Sequence, residues 1–273
     1  MAFKHILVYV DNDAECAERL RYTAELAALF DARMVGLYAR RLLTMPSYAA
    51  VHIPAPVLAD YDEISGGLAG EAQALFERAA RAGNLSGEWS PLTGYLPDAI
   101  ARATCCSDLL VLPQTAGNQA DLNETHSTDS TLLKAAAPVL IVPYAGRFQP
   151  PAKHVIVAWN NSREAGRAVR GALPLLHRAQ RITVLSITGP GQEEIIGADL
   201  GAYLAHHDLN VEVKQMPAGD CSASDAVLSF VADEGGDLIV MGGYGRSRFM
   251  ETVLGGTTRE ILEHMTAPVF MAH

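Results

Sequence analysis

The residues most suited to chemistry are three glycines near the C-terminus, Gly242, Gly245 and Gly255. Two residues separate the first pair and nine separate the second. An apolar run, Leu238 to Met241, leads into Gly242, and a helix-period stretch follows Gly255. Glycine lets backbone turn tightly and approach a ligand closely, because no Cβ stands in the way. The N–H groups of such a loop, with the next helix N-terminus, attract an anion. Arg246 adds a cation. The spacing therefore predicts a phosphate cradle. It is not the Lys-terminated phosphate loop, since no Lys-Ser or Lys-Thr follows the glycines. Arg248 stands where the dinucleotide fingerprint needs its third glycine. The same glycines could equally serve only a tight turn and a helix start.

Other chemical groups have structural readings. Cys16, Cys105, Cys106 and Cys221 form no metal-binding or redox spacing and are expected as reduced, mostly buried thiols. His206 and His207 close a helical pattern, where a cation favours the helix terminus, and His264 falls in the last turn of the final helix. No Ser-His-Asp or Cys-His arrangement emerges, so no catalytic residue is expected.

The elements that must position the glycines come in two copies. Lys4 to Asp11 reappears as Lys153 to Asn160, Asp108 to Pro113 as Asp237 to Gly242, and Ala137 to Pro143 as Ala267 to His273. Three matched blocks in one order indicate a duplicated domain, expected at 1–147 and 152–273, with Pro150 and Pro151 in the linker. In the second copy the expected strands are 154–159, 181–187, 209–215, 237–242 and 267–272, alternating with helical patterns. Ser162 is a helix cap with Glu164 in the first turn, and Ser222 with Asp225 is another start signal. Such alternation predicts an α/β fold, two doubly wound domains each built on a five-stranded parallel sheet. Prolines in the insertion from Leu43 to Gly67 disfavour continuous helix there, so a surface loop over a sheet edge is expected, with a ligand lid or partner contact as the sharper alternative.

The chain has 273 residues, 49% of them hydrophobic, and a net charge of −10. That charge argues against nucleic acid. No apolar run has the length of a membrane span, and the first residues show no signal-peptide pattern. The protein is expected in the cytoplasm. In a doubly wound sheet a ligand sits at the carboxyl ends of the strands, at the switch point. The loops after the first and fourth strands of the second copy, at Asn160 and at Gly242 to Gly245, would then face one crevice.

On these residues the chain resembles the universal stress protein family in tandem form. The resemblance rests on Gly242, Gly245 and Gly255 after the Asp237 strand, on the closing Ala267-Pro268-Val269 strand, and on the polar residue ending the first strand. It implies an adenine nucleotide hydrolase-like fold with strand order 3-2-1-4-5. It also implies pairing of the two copies through Val139 to Val142 and Val269 to Met271. Nucleotide-binding members hold ATP phosphates on the glycine loop. The resemblance thus implies ATP or a related adenine nucleotide, with Mg²⁺ as a companion ion. Gly242, Gly245, Arg246, Gly255, Gly256, Thr257 and Thr258 would hold the phosphates, and Asn160 would border the base. Two departures stand out. Gly256 replaces the usual Ser or Thr, and Asn160 stands where members often have Asp. Thr257 or Thr258 could restore the hydroxyl, but Thr257 with Glu260 has capping-box spacing that would occupy it. In the first copy only Gly117 remains, while Asp121 and Glu124 add negative charge, so that copy is expected to lack a phosphate site. The resulting expectation is a nucleotide-sensing stress-response protein, at most a weak ATPase, acting through an unknown protein partner and able to form a homodimer. The alternative is an interaction module independent of nucleotide.

Overall fold

The computed structural model describes residues 2–39, 54–92, 96–114, 128–188, 196–217, 219, 221–244 and 256–273. In the first half, strands and helices alternate as β1 (His5–Val10), α1 (Cys16–Phe30), β2 (Arg33–Ala39), α2 (Ala55–Ala82), β3 (Gly87–Leu92), α3 (Leu96–Thr104), β4 (Leu109–Pro113), α4 (Thr128–Lys134) and β5 (Val139–Val142). The second half repeats the order as β6 (His154–Ala158), α5 (Arg163–Leu176), β7 (Arg181–Thr188), α6 (Ala198–Ala205), β8 (Glu212–Pro217), α7 (Ala223–Asp233), β9 (Leu238–Gly242), α8 (Gly256–His264) and β10 (Val269–Ala272).

Among the described residues ten strands form one sheet, ordered β3-β2-β1-β4-β5-β10-β9-β6-β7-β8. Each half is parallel within itself and reads 3-2-1-4-5 from its own edge. The halves join where β5 and β10 run antiparallel, with Leu140 opposite Phe270 and Val139 opposite Met271. Each half thereby covers a strand edge that the other would leave open. This is the pairing that the family resemblance implies.

The central strands are apolar on both faces because helices cover both. Ile6, Val8, Val155 and Val157 face one layer, with α1, α2, α5 and α6. Leu7, Ile156, Ile239 and Val269 face the other, with α3, α4, α7 and α8. An aspartate starts the fourth strand of each half and clamps the first. Asp108 Oδ2 accepts from the Lys4 and His5 backbone N–H groups, and the Asp237 carboxylate accepts from those of Lys153 and His154.

Three expectations change. The segment from Ala55 to Gly67 is the start of the 28-residue helix α2 and not a loop, while residues 43–53 lie outside the described residues. Proline breaks a helix interior but is tolerated in the first turn, where its missing N–H has no helical partner anyway; Pro54 precedes α2 and Pro56 falls in that turn. The strand expected at 209–215 runs instead from Glu212 to Pro217, because the left-handed Asp208 (φ 58°) still belongs to the end of the preceding helix. Finally, of the four cysteines only Cys16 is buried, whereas Cys105, Cys106 and Cys221 are exposed and none is paired. They lie at helix ends and turns, where hydrophobic character alone does not enforce burial.

Candidate functional site

Strands β6 and β9 are hydrogen-bonded neighbours, with Ala158 opposite Met241. The loops that follow them therefore leave the same sheet edge side by side, at the switch point of the second half. After β6, Asn160 forms a local turn in which its Oδ1 accepts from the Ser162 N–H at 3.1 Å. Asn160 is exposed, so its amide N–H₂ group is not enclosed by the protein. Asn161 is left-handed (φ 56°), and Ser162 caps α5 by accepting from the Ala165 N–H at 3.2 Å. The Glu164 side chain in that first turn is buried. Burial opposes its ionisation, yet backbone hydrogen bonding and the Arg163 guanidinium hold its carboxyl below the usual range.

After β9 the chain meets α5 at contact distance. A Cβ on Gly242 would lie 2.5 Å from the Ala165 nitrogen and 2.8 Å from the Glu164 carbonyl carbon. The first motif glycine is thus required by the protein's own packing of strand end on helix start. Gly243 makes a second close approach, because a Cβ there would lie 2.9 Å from Leu132 Cδ2 of α4, in the other half. Tyr244 is left-handed (φ 50°), and its N–H points to Thr258 Oγ1 at 3.4 Å. The corner consequently folds back onto the N-terminus of α8. Gly245, Arg246 and Gly255 lie outside the described residues.

At α8 the structure corrects the capping box. The helix begins at Gly256, which puts Thr257 inside the first turn and not at the cap. Glu260 turns elsewhere: Ser224 Oγ of α7 donates to its Oε2. Its Oε1 lies 2.9 Å from where a Cβ on Gly256 would be. Glycine at 256 is accordingly matched to a carboxylate that occupies the side-chain space beside the helix N-terminus. Thr257 is exposed and Thr258 is buried. The expected cap at Ser222 is present, with its Oγ accepting from the Asp225 N–H at 3.1 Å.

The matching corner of the first half is filled by its own side chains. Asp11 makes the same local turn, accepting from the Asp13 N–H at 3.1 Å. Its other oxygen, however, accepts from Arg19 at 2.7 Å, and Arg19 Nε also donates to the Tyr9 carbonyl. The Arg19 side chain is only 3% exposed. The repeat places Ala168 where the first half has Arg19. Nearby, Asn12 donates to the Leu68 carbonyl of α2 at 2.9 Å and accepts from Tyr38 Oη at 3.1 Å. Beside this corner the Cys16 thiol is pushed up to about 11, chiefly by burial. It is a packing residue and not a nucleophile. Gly117, Asp121 and Glu124 lie outside the described residues.

The sequence reading missed Arg19, Ser224 and Gln114, and gave Glu260 a different partner from the one it has. Gln114 Nε2 donates to the Leu262 and Glu263 carbonyls, capping the C-terminus of α8 from the opposite half. It borders a cavity of about 240 Å³ at the seam, with Tyr144, His264 and Thr266. Arg19 had a readable signal, being a cation on the apolar stripe of α1 that its repeat replaces with alanine. Gln114 and Ser224 had none, because their partners are remote in sequence. His206 and His264 sit at helix C-termini as expected, and no group able to hold a metal occurs among the described residues.

Residues 151–273 match the model of the Universal stress protein family. Among curated proteins nothing matches. Among solved structures, a universal stress protein from Archaeoglobus fulgidus DSM 4304 superposes with a TM-score of 0.74 at 16% identity, covering 99% of this chain and 97% of that one. A functionally unknown protein from Pseudomonas aeruginosa PAO1 superposes at 0.58, again with 16% identity, covering 98% of this chain and 92% of its own. At such identities the likeness is one of fold.

Proposed function

We propose, from the premise that residues 151–273 are a universal stress protein domain, that this half binds ATP or a related adenine nucleotide and that the first half is its structural partner. The units are residues 1–147 and 152–273. One observation carries the reading. The carboxyl ends of β6 and β9 lie side by side with the N-terminus of α8 folded against them, whereas the matching corner of the first half is occupied by Arg19 and Asp11. Backbone N–H groups of Gly256, Thr257 and Thr258, with Gly245, Arg246 and Gly255, would face the phosphates. Gly242 sets the corner, and the Asn160 amide would meet the base edge. Mg²⁺ would accompany the triphosphate as counter-ion. Binding would order the corner for a protein partner to read, in a cytoplasmic stress response without catalysis. Calorimetry with ATP and Mg²⁺ tests this, since no saturable heat at millimolar ATP would overturn it. A second reading, an interaction module indifferent to nucleotide, draws on two observations: Glu260 occupies space beside the α8 N-terminus, and Gly242 is explained by packing alone.

A further inference from the structure

Helix α2 is longer than the sheet it covers. At 28 residues it spans about 42 Å, while a six-residue strand such as β1 spans about 20 Å. Its C-terminal half packs conventionally. Ala72, Phe76 and Ala80 are buried, and the Phe76 ring fills the space left by Gly36 and Gly87. Asn12 grips the Leu68 carbonyl at the level where β1 ends. A helix that returns from β2 to a parallel β3 runs opposite to both, so the turns before Leu68 pass the carboxyl edge of the sheet.

This overhang carries an apolar stripe. Val57, Ile64 and Leu68 are 52%, 63% and 37% exposed, and Leu58 is 39% exposed beside them. The spacing i, i+7, i+11 keeps the first three on one helix face. A Cβ at Gly66, Gly67 or Gly70 would meet nothing within contact distance, so the other sides of this stretch are uncovered as well. The charge beside the stripe has one sign. Asp60, Glu63 and Glu71 are exposed, and no Lys, Arg or His occurs from residue 54 to 77.

We infer that this overhang is a docking arm for a cationic amphipathic helix of another protein. The apolar stripe supplies the anchors of a helix-on-helix contact, and the acidic flank selects a basic partner and speeds its approach. Two copies of the arm would bring like charges together, and an anionic membrane surface would be repelled. The arm lies on the first half, so it does not depend on nucleotide binding in the second.

The test uses the full chain and two synthetic helical peptides with leucines at heptad a and d positions, one bearing lysines at e and g, the other glutamates. Fluorescence anisotropy should show saturable binding of the lysine peptide, weakened about tenfold in Ile64→Ser/Leu68→Ser and weakened further by salt. In Asp60→Lys/Glu71→Lys, preference should pass to the glutamate peptide. All four residues are exposed, so thermal melting should stay unchanged. The charge pair also tests the arm without removing any apolar group. Equal binding of both peptides, or equal binding by both variants, overturns the inference. So does a dimer in sedimentation, or uptake on phosphatidylglycerol vesicles, that Ile64→Ser/Leu68→Ser abolishes.

Discussion

Asp11 at the end of β1 is tied to Arg19 at 2.7 Å, whereas Asn160 at the end of β6 has Ala168 at the matching helix position. Pro113 ends β4, whereas Gly242 ends β9 and lets α5 start against it. Gln114 reaches across to cap α8, whereas its counterpart Gly243 admits Leu132 of α4. Strand order and the aspartate clamps are shared, so duplication preserved the frame. The halves diverged at the carboxyl edge, where one spends its polar groups on itself. Specialisation of a repeat thus needs no change of fold, only of the few side chains that fill or open the edge.

That contrast can be broken most strongly at Arg19. Arg19→Ala leaves Asp11 without its partner in a mostly buried setting, and urea unfolding should show a loss of about 3 kcal/mol. Ala168→Arg should also destabilise, since Ala168 is fully buried and Asn160 stands where the first half has the aspartate that receives the cation. The next largest effect is expected at Gly242→Ala, about 2 kcal/mol from overpacking against Ala165, with ATP binding lost. Pro113→Ala at the matching place should change stability by well under half of that. A smaller effect sharpens the nucleotide reading. Removing the carboxylate beside the α8 N-terminus in Glu260→Gln should raise ATP affinity about tenfold by calorimetry while leaving adenosine unchanged. Equal ATP affinity would show that Glu260 lies away from the phosphates.

The smallest effect is one of pH. Glu164 is buried with its carboxyl held below the usual range, whereas Glu15 at the matching position is exposed. A depressed folded-state pKa contributes stability that is present at neutral pH and lost as pH falls through it. Glu164→Gln should therefore be less stable than the parent at pH 7, and the gap should close on acidification. Glu15→Gln, at an exposed position, should change stability at pH 7 by less than about 0.5 kcal/mol.

The duplication, the alternation of strand and helix and the caps at Ser162 and Ser222 were all legible along the chain. Each depends on neighbours in sequence or on a pattern repeated at fixed offset. Helix α2 was misread because proline was weighed by type and not by position in the first turn. The glycine pattern was legible as close approach, but not what approaches. At Gly242 that is α5, and at Gly243 it is α4 of the other half.

The sequence by itself determined the frame, since apolar periodicity and turn residues act locally and specify strand, helix and their order. Only the tertiary structure decided how the two carboxyl edges are occupied. Arg19 with Asp11, Gln114 with α8, and Glu260 with Ser224 and Gly256 are each contacts whose energy depends on distance and burial. Separations of 8 to 149 residues leave these contacts without a local signal, apart from the spacing of Glu260 from Gly256 and the cation that Arg19 sets on the apolar stripe of α1.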